Sequence, residues 1–140
     1  MYFIEGQSHD PAFNLALEEH LYRSVDEGHP GYFLLWQNAP SIIVGRFQNT
    51  AQEVNRPFVE ERGIHVVRRI SGGGAVYHDL GNVNYSFIVP NDEGTPFDFA
   101  RHARPVIDAL AKLGVEAESG GRNDLLIDGR KFSGSAQHMD

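Results

Sequence analysis

Apolar residues recur at helical spacing after the Asp10-Pro11 pair, which is typical of a capped amphipathic helix. The predicted buried face of this helix consists of Phe13, Ala16, Leu17, Leu21 and Val25. Its predicted solvated face consists of Asn14, Glu18, Glu19 and Arg23. The helix would thus lie on the surface of the fold, with one side packed inward.

Short runs of apolar and β-branched residues predict strands along the rest of the chain. These runs lie at residues 1–8, 32–36, 41–44, 64–67, 75–78, 83–89, 115–118 and 125–127. The run at 32–36 is apolar at every position, which indicates a strand covered on both faces. The run at 115–118 is predicted to be an edge strand, and Asp128-Gly129 predicts a two-residue hairpin after the last run.

Two further helices are predicted between these strands. One covers residues 53–62 and is expected to break near Pro57. The other is expected to be capped by Thr95-Pro96, and to kink or begin at Pro105. Its predicted inward residues are Phe99, Val106, Ile107, Leu110 and Leu113.

A run of three glycines, Gly72-Gly73-Gly74, lies inside this β-rich pattern. Because glycine has no side chain, the backbone N–H groups of the run could together bind an anion such as phosphate. The preceding pair, Arg68-Arg69, could supply a fork-shaped partner for that phosphate. A flexible turn would explain the glycines alone, but not the flanking arginines and His78-Asp79. The spacings of Walker and dinucleotide-binding loops are both missing.

The net charge of −7 argues against non-specific nucleic-acid binding, which needs a positive surface. The basic residues that stand out form two groups, namely Arg46, Arg62, Arg68 and Arg69, then Arg122, Arg130 and Lys131. If these groups converge, they predict a local basic pocket that suits a phosphate ester. Arg46 follows Gly45 at a strand end, a position that fits either a cleft or an ordinary surface arginine.

What the 140 residues lack excludes several kinds of chemistry. They contain no cysteine, so disulfides, thiolate metal sites and thiol nucleophiles are excluded within them. No apolar run approaches the roughly 20 residues of a membrane span, and residues 1–5 do not resemble a secretory or transit signal. We therefore expect a cytoplasmic protein that binds neither a membrane nor nucleic acid.

Two positions near the end of the sequence carry useful chemistry. Asn123-Asp124 at a strand entrance could hold Mg²⁺ through a carboxylate oxygen, although such pairs are also common in turns. Lys131 follows the predicted hairpin, where a lysine usually points into water. Placed over the glycine run, it would stabilise negative charge on a phosphate and on an acyl oxygen. These residues indicate a nucleotide or phosphate-ester site, with Mg²⁺ as an option.

Three blocks of the sequence, residues 68–87, 121–125 and 129–136, closely resemble the signature of lipoate–protein ligases, in the family's order. Residues 14–19 and 45–49 also fit. The combination is far more specific than a single glycine run. The resemblance implies an α/β (α+β) fold with a mixed, largely antiparallel sheet flanked by helices, as in biotin ligases and class II aminoacyl-tRNA synthetases.

The resemblance also implies an activity. Lipoate–protein ligases activate lipoate with Mg·ATP to lipoyl-AMP, release pyrophosphate, and pass the lipoyl group to a lysine of an acceptor domain. The acceptors are E2 subunits of 2-oxoacid dehydrogenase complexes and the H protein of glycine cleavage. The family's catalytic domain is longer and usually carries a separate accessory domain, so residues 1–140 are expected to be its N-terminal part.

The resemblance assigns expected roles to individual positions. The expected catalytic residue is Lys131, and the expected Mg²⁺ ligand is Asp124. The expected contacts of ATP and adenylate are Arg69, Gly73, Gly74, Ala75, Val76, Tyr77, His78, Asn82, Asn123 and Lys131. The expected contacts of lipoate are Arg69, Ser71, Gly74, Val76, His78 and Lys131. The apolar tail of lipoate would need a slot, for which the candidates are Val76, Phe87 and Phe132.

Three alternatives stand beside the ligase hypothesis. An octanoyl or lipoyl transferase of the same superfamily would need no ATP, and its cysteine-dependent forms lack their nucleophile within these residues. A biotin ligase would share the fold, but its arginine-rich adenylate loop is not seen. A non-catalytic fragment that binds lipoate or nucleotide is the third, and the presence of Arg69, Asp124 and Lys131 argues against a degenerate site.

Overall fold

The computed structural model describes residues 1–91, 98–121 and 123–139. The chain forms two compact units, one comprising Met1–Asn91 with His138–Asp140 and the other Asp92–Gln137. Both units combine helices with three-stranded sheets that are wholly or partly antiparallel. The predicted α+β class with mixed, largely antiparallel pairing is thereby confirmed, although the strands are divided among three sheets.

The first unit contains two of these sheets. Its strands are β1 (Tyr2–Glu5), β2 (Tyr32–Trp36), β3 (Ser41–Val44), β4 (His65–Arg68), β5 (Val76–His78) and β6 (Asn84–Ile88). Strand β2 lies between β1, to which it is parallel, and β6, to which it is antiparallel. Strand β3 lies in the same manner between parallel β4 and antiparallel β5. The glycine run thus connects two strands that both pair with β3.

The hydrophobic core of this unit lies on one face of β2. Leu34 and Trp36 on that face are buried. Phe33 on the opposite face is only half-buried, with its ring 5.9 Å from that of Phe3 and 4.8 Å from that of Phe87. Because alternate side chains of a strand point to opposite faces, the second face of β2 is covered less completely than predicted. The core cluster consists of Leu15, Leu21, Leu34, Trp36, Ile43 and Ile88.

Helix α1 (Pro11–Arg23) packs on this core with a face that only partly matches the predicted one: Leu21, Leu17 and Val25 lie in or against the core as expected, whereas Phe13 and Ala16 do not. Asp10 caps it as expected, since its carboxylate accepts N–H groups of the first turn. The buried residues of α1 are Pro11, Asn14, Leu15 and Leu21. Phe13, predicted to be buried, is 56% exposed. The inward stripe recurs every three or four residues from position 11, which points Glu18 inward rather than Ala16.

Two short helices, α2 (Thr50–Glu53) and α3 (Arg56–Glu61), follow β3. The prediction of one helix over 53–62 with a break near Pro57 is therefore wrong in its start and in the place of its break. Pro57 lies in the first turn of α3, where its missing N–H group would have no helical partner in any case. Asn55 caps that helix with its side chain.

The second unit consists of helix α4 (Phe99–Lys112) and one antiparallel sheet. In this sheet, β8 (Asp124–Ile127) lies between β7 (Ala117–Gly120) and β9 (Arg130–Gly134). Strand β7 is at an edge, as predicted, but it begins two residues later than expected. The reason is that the N–H group of Val115 still bonds to the helix end, at the carbonyl oxygen of Leu110, 3.0 Å away.

Helix α4 differs from its prediction at both ends. The predicted cap, Thr95-Pro96, lies outside the described residues, and Asp98 caps the observed start. The helix runs through Pro105 instead of beginning there. Leu113, predicted to face inward, follows the helix as its C-cap residue and is 79% exposed. In the described ranges, no helix is long and apolar enough to cross a membrane.

The predicted hairpin turn at Asp128-Gly129 joins β8 to β9. Both turn residues have left-handed φ angles, 51° and 71°, which a two-residue type I′ turn requires. The pairing of the two strands shifts between Leu125 and Leu126. This shift leaves Phe132 without a partner, so that β9 contains a one-residue bulge.

Candidate functional site

The side chain of Arg69 holds the glycine run in place. Its guanidinium donates hydrogen bonds to the carbonyl oxygens of Gly72 and Gly74, at 2.9 and 2.8 Å. It also donates to the hydroxyl of Ser71 at 3.1 Å and to the carbonyl oxygen of Ile43 in β3 at 3.3 Å. The donors that were predicted to pair with a phosphate therefore fasten the run, here called the glycine loop (residues 71–74), to the sheet.

The N–H groups of the glycine loop are differently placed from its carbonyls. Within the described part of the chain, the backbone N–H groups of Gly72, Gly73 and Gly74 donate no hydrogen bond. Gly73 has a φ of 101°, and a Cβ added there would lie 3.0 Å from Nη2 of Arg69. A larger residue would strain this loop. The loop can thus offer N–H groups to an anion while its carbonyls stay bound to Arg69.

A second loop, residues 45–50, packs directly on the glycine loop. The N–H group of Arg46 donates to the carbonyl oxygen of Ser71 at 2.9 Å. A side chain at Gly45 would collide with the carbonyl oxygen of Gly73. The glycine at position 45 is therefore required by close approach of the two backbones.

Arg68 fastens this second loop as Arg69 fastens the first. Nη1 of Arg68 donates to the carbonyl oxygens of Gly45 and Gln48, at 2.7 and 2.8 Å. Nη2 donates to the hydroxyl of Thr50 at 2.8 Å. Two adjacent arginines, the last residue of β4 and the residue that follows it, thus hold two different loops, because successive side chains of an extended chain point in opposite directions.

Four arginines converge at one cavity of the first unit. This cavity, of about 270 Å³, is lined by Arg23, Arg46, Arg68, Arg69, Ile70 and His138. The predicted local basic pocket is confirmed for three members of the first basic group. Arg62 is the exception, because its guanidinium stacks on the ring of Phe58, 4.8 Å from the centroid. Of the second basic group, Arg122 lies outside the described residues, and Arg130 and Lys131 lie on β9.

A half-buried carboxylate of α1 points toward the sheet of the first unit. Glu18 accepts a hydrogen bond from the hydroxyl of Ser86, which in turn accepts one from the indole N–H of Trp36 at 3.1 Å. Burial raises the pKa of Glu18, while the Ser86 bond and the positive charge of Arg69 oppose that rise. The predicted solvated position of Glu18 is wrong, since the inward stripe of α1 passes through it.

His78 is connected to α1 through two buried asparagines. Nδ2 of Asn38 donates to Nδ1 of His78 at 3.1 Å, and Oδ1 of Asn38 accepts from Nδ2 of Asn14 at 2.9 Å. Burial lowers the pKa of His78, and the charge of Arg69 lowers it further, so the neutral imidazole prevails at pH 7. Asn14 and Asn38 are 1% and 0% exposed, which contradicts the surface position predicted for Asn14.

The remaining ligand contacts predicted for the first unit lie on β5 and beside it. Val76 and Tyr77 are 45% and 55% exposed, so both side chains are accessible to a ligand. Ala75, just before them, is half-buried. Asn82 donates from its amide to the side chain of Asn84 at 3.0 Å. Of the predicted slot residues, Val76 and Phe87 lie on different sheets of this unit, and Phe132 lies in the second unit.

The second unit places the predicted catalytic lysine beside the predicted metal ligand. Nζ of Lys131 is 2.9 Å from Oδ1 of Asp124. The neighbouring Asn123 is tied to the returning chain, because its amide donates to the carbonyl oxygen of Ser135 at 2.6 Å. The glycine loop belongs to the first unit, so the placement of Lys131 over it stays a prediction.

Asp124 has the chemistry of one ligand in a nucleotide-bound magnesium site. Such sites use one or two carboxylates and take their remaining oxygen ligands from phosphate and water. The carboxylate of Asp124 already attracts a cation, the ammonium of Lys131. In the part of the chain that the structure describes, no three His, Asp or Glu side chains form a metal site by themselves. Asp124 therefore fits Mg²⁺ only together with the phosphates of a nucleotide.

Several proteins with similar sequences are lipoate–protein ligases. Residues 10–140 match the model of the lipoyl protein ligase A/B catalytic domain. The chain is 54% identical over 138 residues to lipoate-protein ligase LplJ of Bacillus subtilis, which covers 98% of this chain and 41% of that protein. It is 49% identical to lipoate–protein ligase 1 of Staphylococcus aureus, over 91% of this chain and 38% of that protein. The chain thus spans about two fifths of the length of these relatives.

Solved structures resemble the chain over nearly all of its length. P. falciparum LipL1 in complex with lipoate has a TM-score of 0.86 and 31% identity, covering 99% of this chain and 44% of that one. A bi-partite lipoate protein ligase from Thermoplasma acidophilum, described with its E2 lipoyl domain, has a TM-score of 0.86 and 32% identity, covering 99% of this chain and 56% of that one. Lipoate-protein ligase A bound with ATP has a TM-score of 0.86 and 29% identity, covering 99% of this chain and 60% of that one. These similarities agree with the fold class that the sequence blocks imply.

Proposed function

The chain belongs to the lipoyl protein ligase A/B catalytic domain family. From this premise we propose that it forms part of a lipoate–protein ligase. In this function, ATP and lipoate form lipoyl-AMP and pyrophosphate, and the lipoyl group then passes to a lysine of an acceptor domain. Two similar structures support the substrates, since one protein is bound to lipoate and another to ATP.

The observation that carries the proposal is the glycine loop as Arg69 holds it. Its carbonyls are bound to the guanidinium at 2.8 and 2.9 Å, and its N–H groups are left for an anion. An adenylate has one such anion, the phosphate that joins the acyl group to the nucleoside. We therefore assign the nucleotide to Arg69, Gly73, Gly74, Ala75, Val76, Tyr77, His78, Asn82, Asn123 and Lys131. We assign lipoate to Arg69, Ser71, Gly74, Val76, His78 and Lys131.

Lys131 is the proposed catalytic residue. When the carboxylate of lipoate attacks the α-phosphorus of ATP, the new acyl–phosphate bond forms as the bond to pyrophosphate breaks. Negative charge accumulates on the phosphate oxygens, and a fixed ammonium group stabilises it. Mg²⁺, held by Asp124 and the phosphates, would supply further neutralisation of the same charge.

The same ammonium serves the transfer step. The neutral amine of the acceptor lysine attacks the acyl carbonyl of lipoyl-AMP, and negative charge develops on the carbonyl oxygen as the new C–N bond forms. That charge is lost when the bond to AMP breaks and the nitrogen releases a proton to water, which leaves an amide. Lys131 would stabilise that oxygen, as a preorganised cation does in acyl transfer. The neutral side chain of His78 is suited to donating or accepting a hydrogen bond near the acyl group without adding charge.

The proposed acceptors are lipoyl domains of E2 subunits and the glycine-cleavage H protein, and the proposed compartment is the cytoplasm. The Thermoplasma acidophilum relative, described with its E2 lipoyl domain, supports the first kind of acceptor. That relative is bi-partite, which supports cooperation with a separate accessory domain or chain.

The test is ATP–pyrophosphate exchange by the full chain, with and without lipoate. The proposal predicts exchange that requires lipoate, because pyrophosphate is released only when the acyl-adenylate forms. An ATP-independent transferase would show no exchange, yet would move an octanoyl or lipoyl group from a thioester carrier to an acceptor domain. Absence of lipoate-dependent exchange in a folded protein of the relatives' full length that contains these residues would rule out the ligase function.

A further inference from the structure

The β8–β9 hairpin is irregular next to the pair formed by Asp124 and Lys131. The two-residue turn sets the first cross-strand pairs, and the bulge at Phe132 shifts the later ones. The observed pairs are Ile127 with Arg130, Leu126 with Lys131, Leu125 with Ser133 and Asp124 with Gly134. The bulge residue, Phe132, thus lies between Lys131, which pairs with Leu126, and Ser133, which pairs with Leu125.

This skipped residue decides which side chain stands opposite Asp124. In a regular ladder, counting from the pair of Leu126 and Lys131 would bring Ser133 opposite Asp124, with its side chain on the same face. The bulge brings Gly134 there instead. The partner of Asp124 on the other neighbouring strand is also a glycine, Gly120.

The space left open at Gly134 is the space that Lys131 uses. Lys131 pairs with Leu126, so it is diagonal to Asp124 and must reach along its own strand to meet it. A Cβ built on Gly134 would lie 3.0 Å from both Cε and Nζ of Lys131. A side chain at this position would therefore require the end of the Lys131 side chain to shift by a few tenths of an ångström, which disturbs its contact with the carboxylate that now lies 2.9 Å away.

We propose that Gly134, brought opposite Asp124 by the bulge at Phe132, is a positioning residue for Lys131. Its missing side chain leaves the path by which the lysine reaches Asp124, so the ammonium is held at one place instead of pointing freely into water. This role rests on the proposed function of Lys131. An exposed ion pair adds little to folding stability. A side chain that blocks this path should therefore change the position of the Lys131 ammonium group rather than the free energy of unfolding.

The substitution that tests this is Gly134→Ala in the full chain. Gly134 does not have a left-handed φ angle, so alanine changes the space and not the backbone preference. The expected result is loss of the NMR scalar coupling across the hydrogen bond between Nζ of Lys131 and Cγ of Asp124. The lipoate-dependent exchange rate should fall by up to about tenfold, since misplacement of a catalytic group by about 1 Å costs about a hundredfold and this shift is smaller. A coupling that survives in Gly134→Ala would overturn the inference.

The matched control places Gly134→Ala in a Lys131→Ala background. Because alanine at position 131 has no atoms to collide with, the second substitution should then change neither the melting temperature nor nucleotide affinity. If Gly134→Ala lowers both equally in the two backgrounds, or unfolds the protein in both, Gly134 supports the hairpin itself and the inference is wrong. Loss of the coupling in a protein of the relatives' full length that shows no exchange even as wild type would support the positioning role and refute the ligase function.

Discussion

The two units of the chain hold their candidate residues by different means. In the first unit, Arg68 and Arg69 each bind several oxygens of a loop, and Glu18 and Asn14 form part-buried and buried hydrogen bonds. In the second unit, the side chains of Lys131 and Asp124 are 57% and 32% exposed, and Leu125 is the one buried hydrophobic residue among those described.

The difference lies in what fixes the geometry. Several hydrogen bonds from one guanidinium, part-buried or exposed, determine the glycine loop, so a substitution there should lower both stability and ligand affinity. Strand register determines the position of Lys131, so a substitution there should affect function with little change in folding. Substitutions in the two units can therefore test whether hydrogen bonding fixes the first site and strand register fixes the second.

The largest effect on activity is expected from Lys131→Ala. Lipoate-dependent exchange should fall by about a hundred- to a thousandfold, the size seen when one group that stabilises developing charge is removed. The melting temperature should stay within about 4 °C of wild type, because an exposed ion pair contributes at most about 1 kcal/mol. Unchanged exchange would remove Lys131 from the mechanism, and a clear loss of stability would contradict the proposed difference between the units.

Arg69→Lys should weaken both folding and nucleotide binding. Lysine cannot reproduce the planar fork that holds several acceptors at once, so the free energy of unfolding in urea should fall by about 2 to 3 kcal/mol. Arg62→Lys is the matched control, since Arg62 is exposed and stacks on Phe58, and it should change stability by less than about 0.5 kcal/mol. Equal effects of the two substitutions would show that the glycine loop does not depend on Arg69.

Asn14→Ala should destabilise the first unit by about 1 to 3 kcal/mol in urea unfolding. Its amide donates to the carbonyl oxygens of Ser8 and Gln37, both at 2.9 Å, and these would lose their partner. The control is Gln52→Ala on the exposed surface of α2. An Asn14→Ala protein as stable as this control would mean that water replaces the buried amide without loss.

Glu18→Gln should change how the free energy of unfolding depends on pH, with a smaller effect than the losses expected for Arg69→Lys and Asn14→Ala. Burial raises the pKa of Glu18 in the folded protein above its ordinary value of 4.5. Its contribution to stability is therefore complete below pH 4.5 and is lost as the pH rises through the folded pKa. Glutamine still accepts a hydrogen bond but does not ionise, so the variant should lack this loss. The same decline above pH 4.5 in both proteins would show that Glu18 is not the group responsible.

The sequence predicted those features of the fold that depend on short-range patterns. Apolar runs located the strands, Asp10 located the start of α1, and Asp128-Gly129 located the hairpin. The phase of α1 was missed because Leu17 and Leu21 fit both candidate faces, and only the sheet beneath the helix distinguishes them. Counting from the cap at Asp10 in steps of three and four would have pointed to Glu18.

The candidate site was less predictable, because its geometry comes from pairings between distant residues. The sequence placed Arg69 beside the glycines, but an arginine of this kind can bind a phosphate or a carbonyl equally well. Asn38 lies outside the sequence blocks, and Ser86 lies in the first block without an expected role. Both join the network only when the chain brings them to α1. The bulge at Phe132 is likewise a property of the strand pairing, so the position of Gly134 opposite Asp124 could not be foreseen.

The most direct test of the account is the binding of a non-hydrolysable lipoyl-adenylate analogue, measured by isothermal titration calorimetry. The wild-type protein should bind one equivalent. Gly73→Val, which places a side chain against Arg69 in a loop with a φ of 101°, should lower the free energy of unfolding but stay folded by circular dichroism, and it should lose that binding. Equal affinity of the two proteins for the analogue would contradict the claim that the glycine loop binds the adenylate.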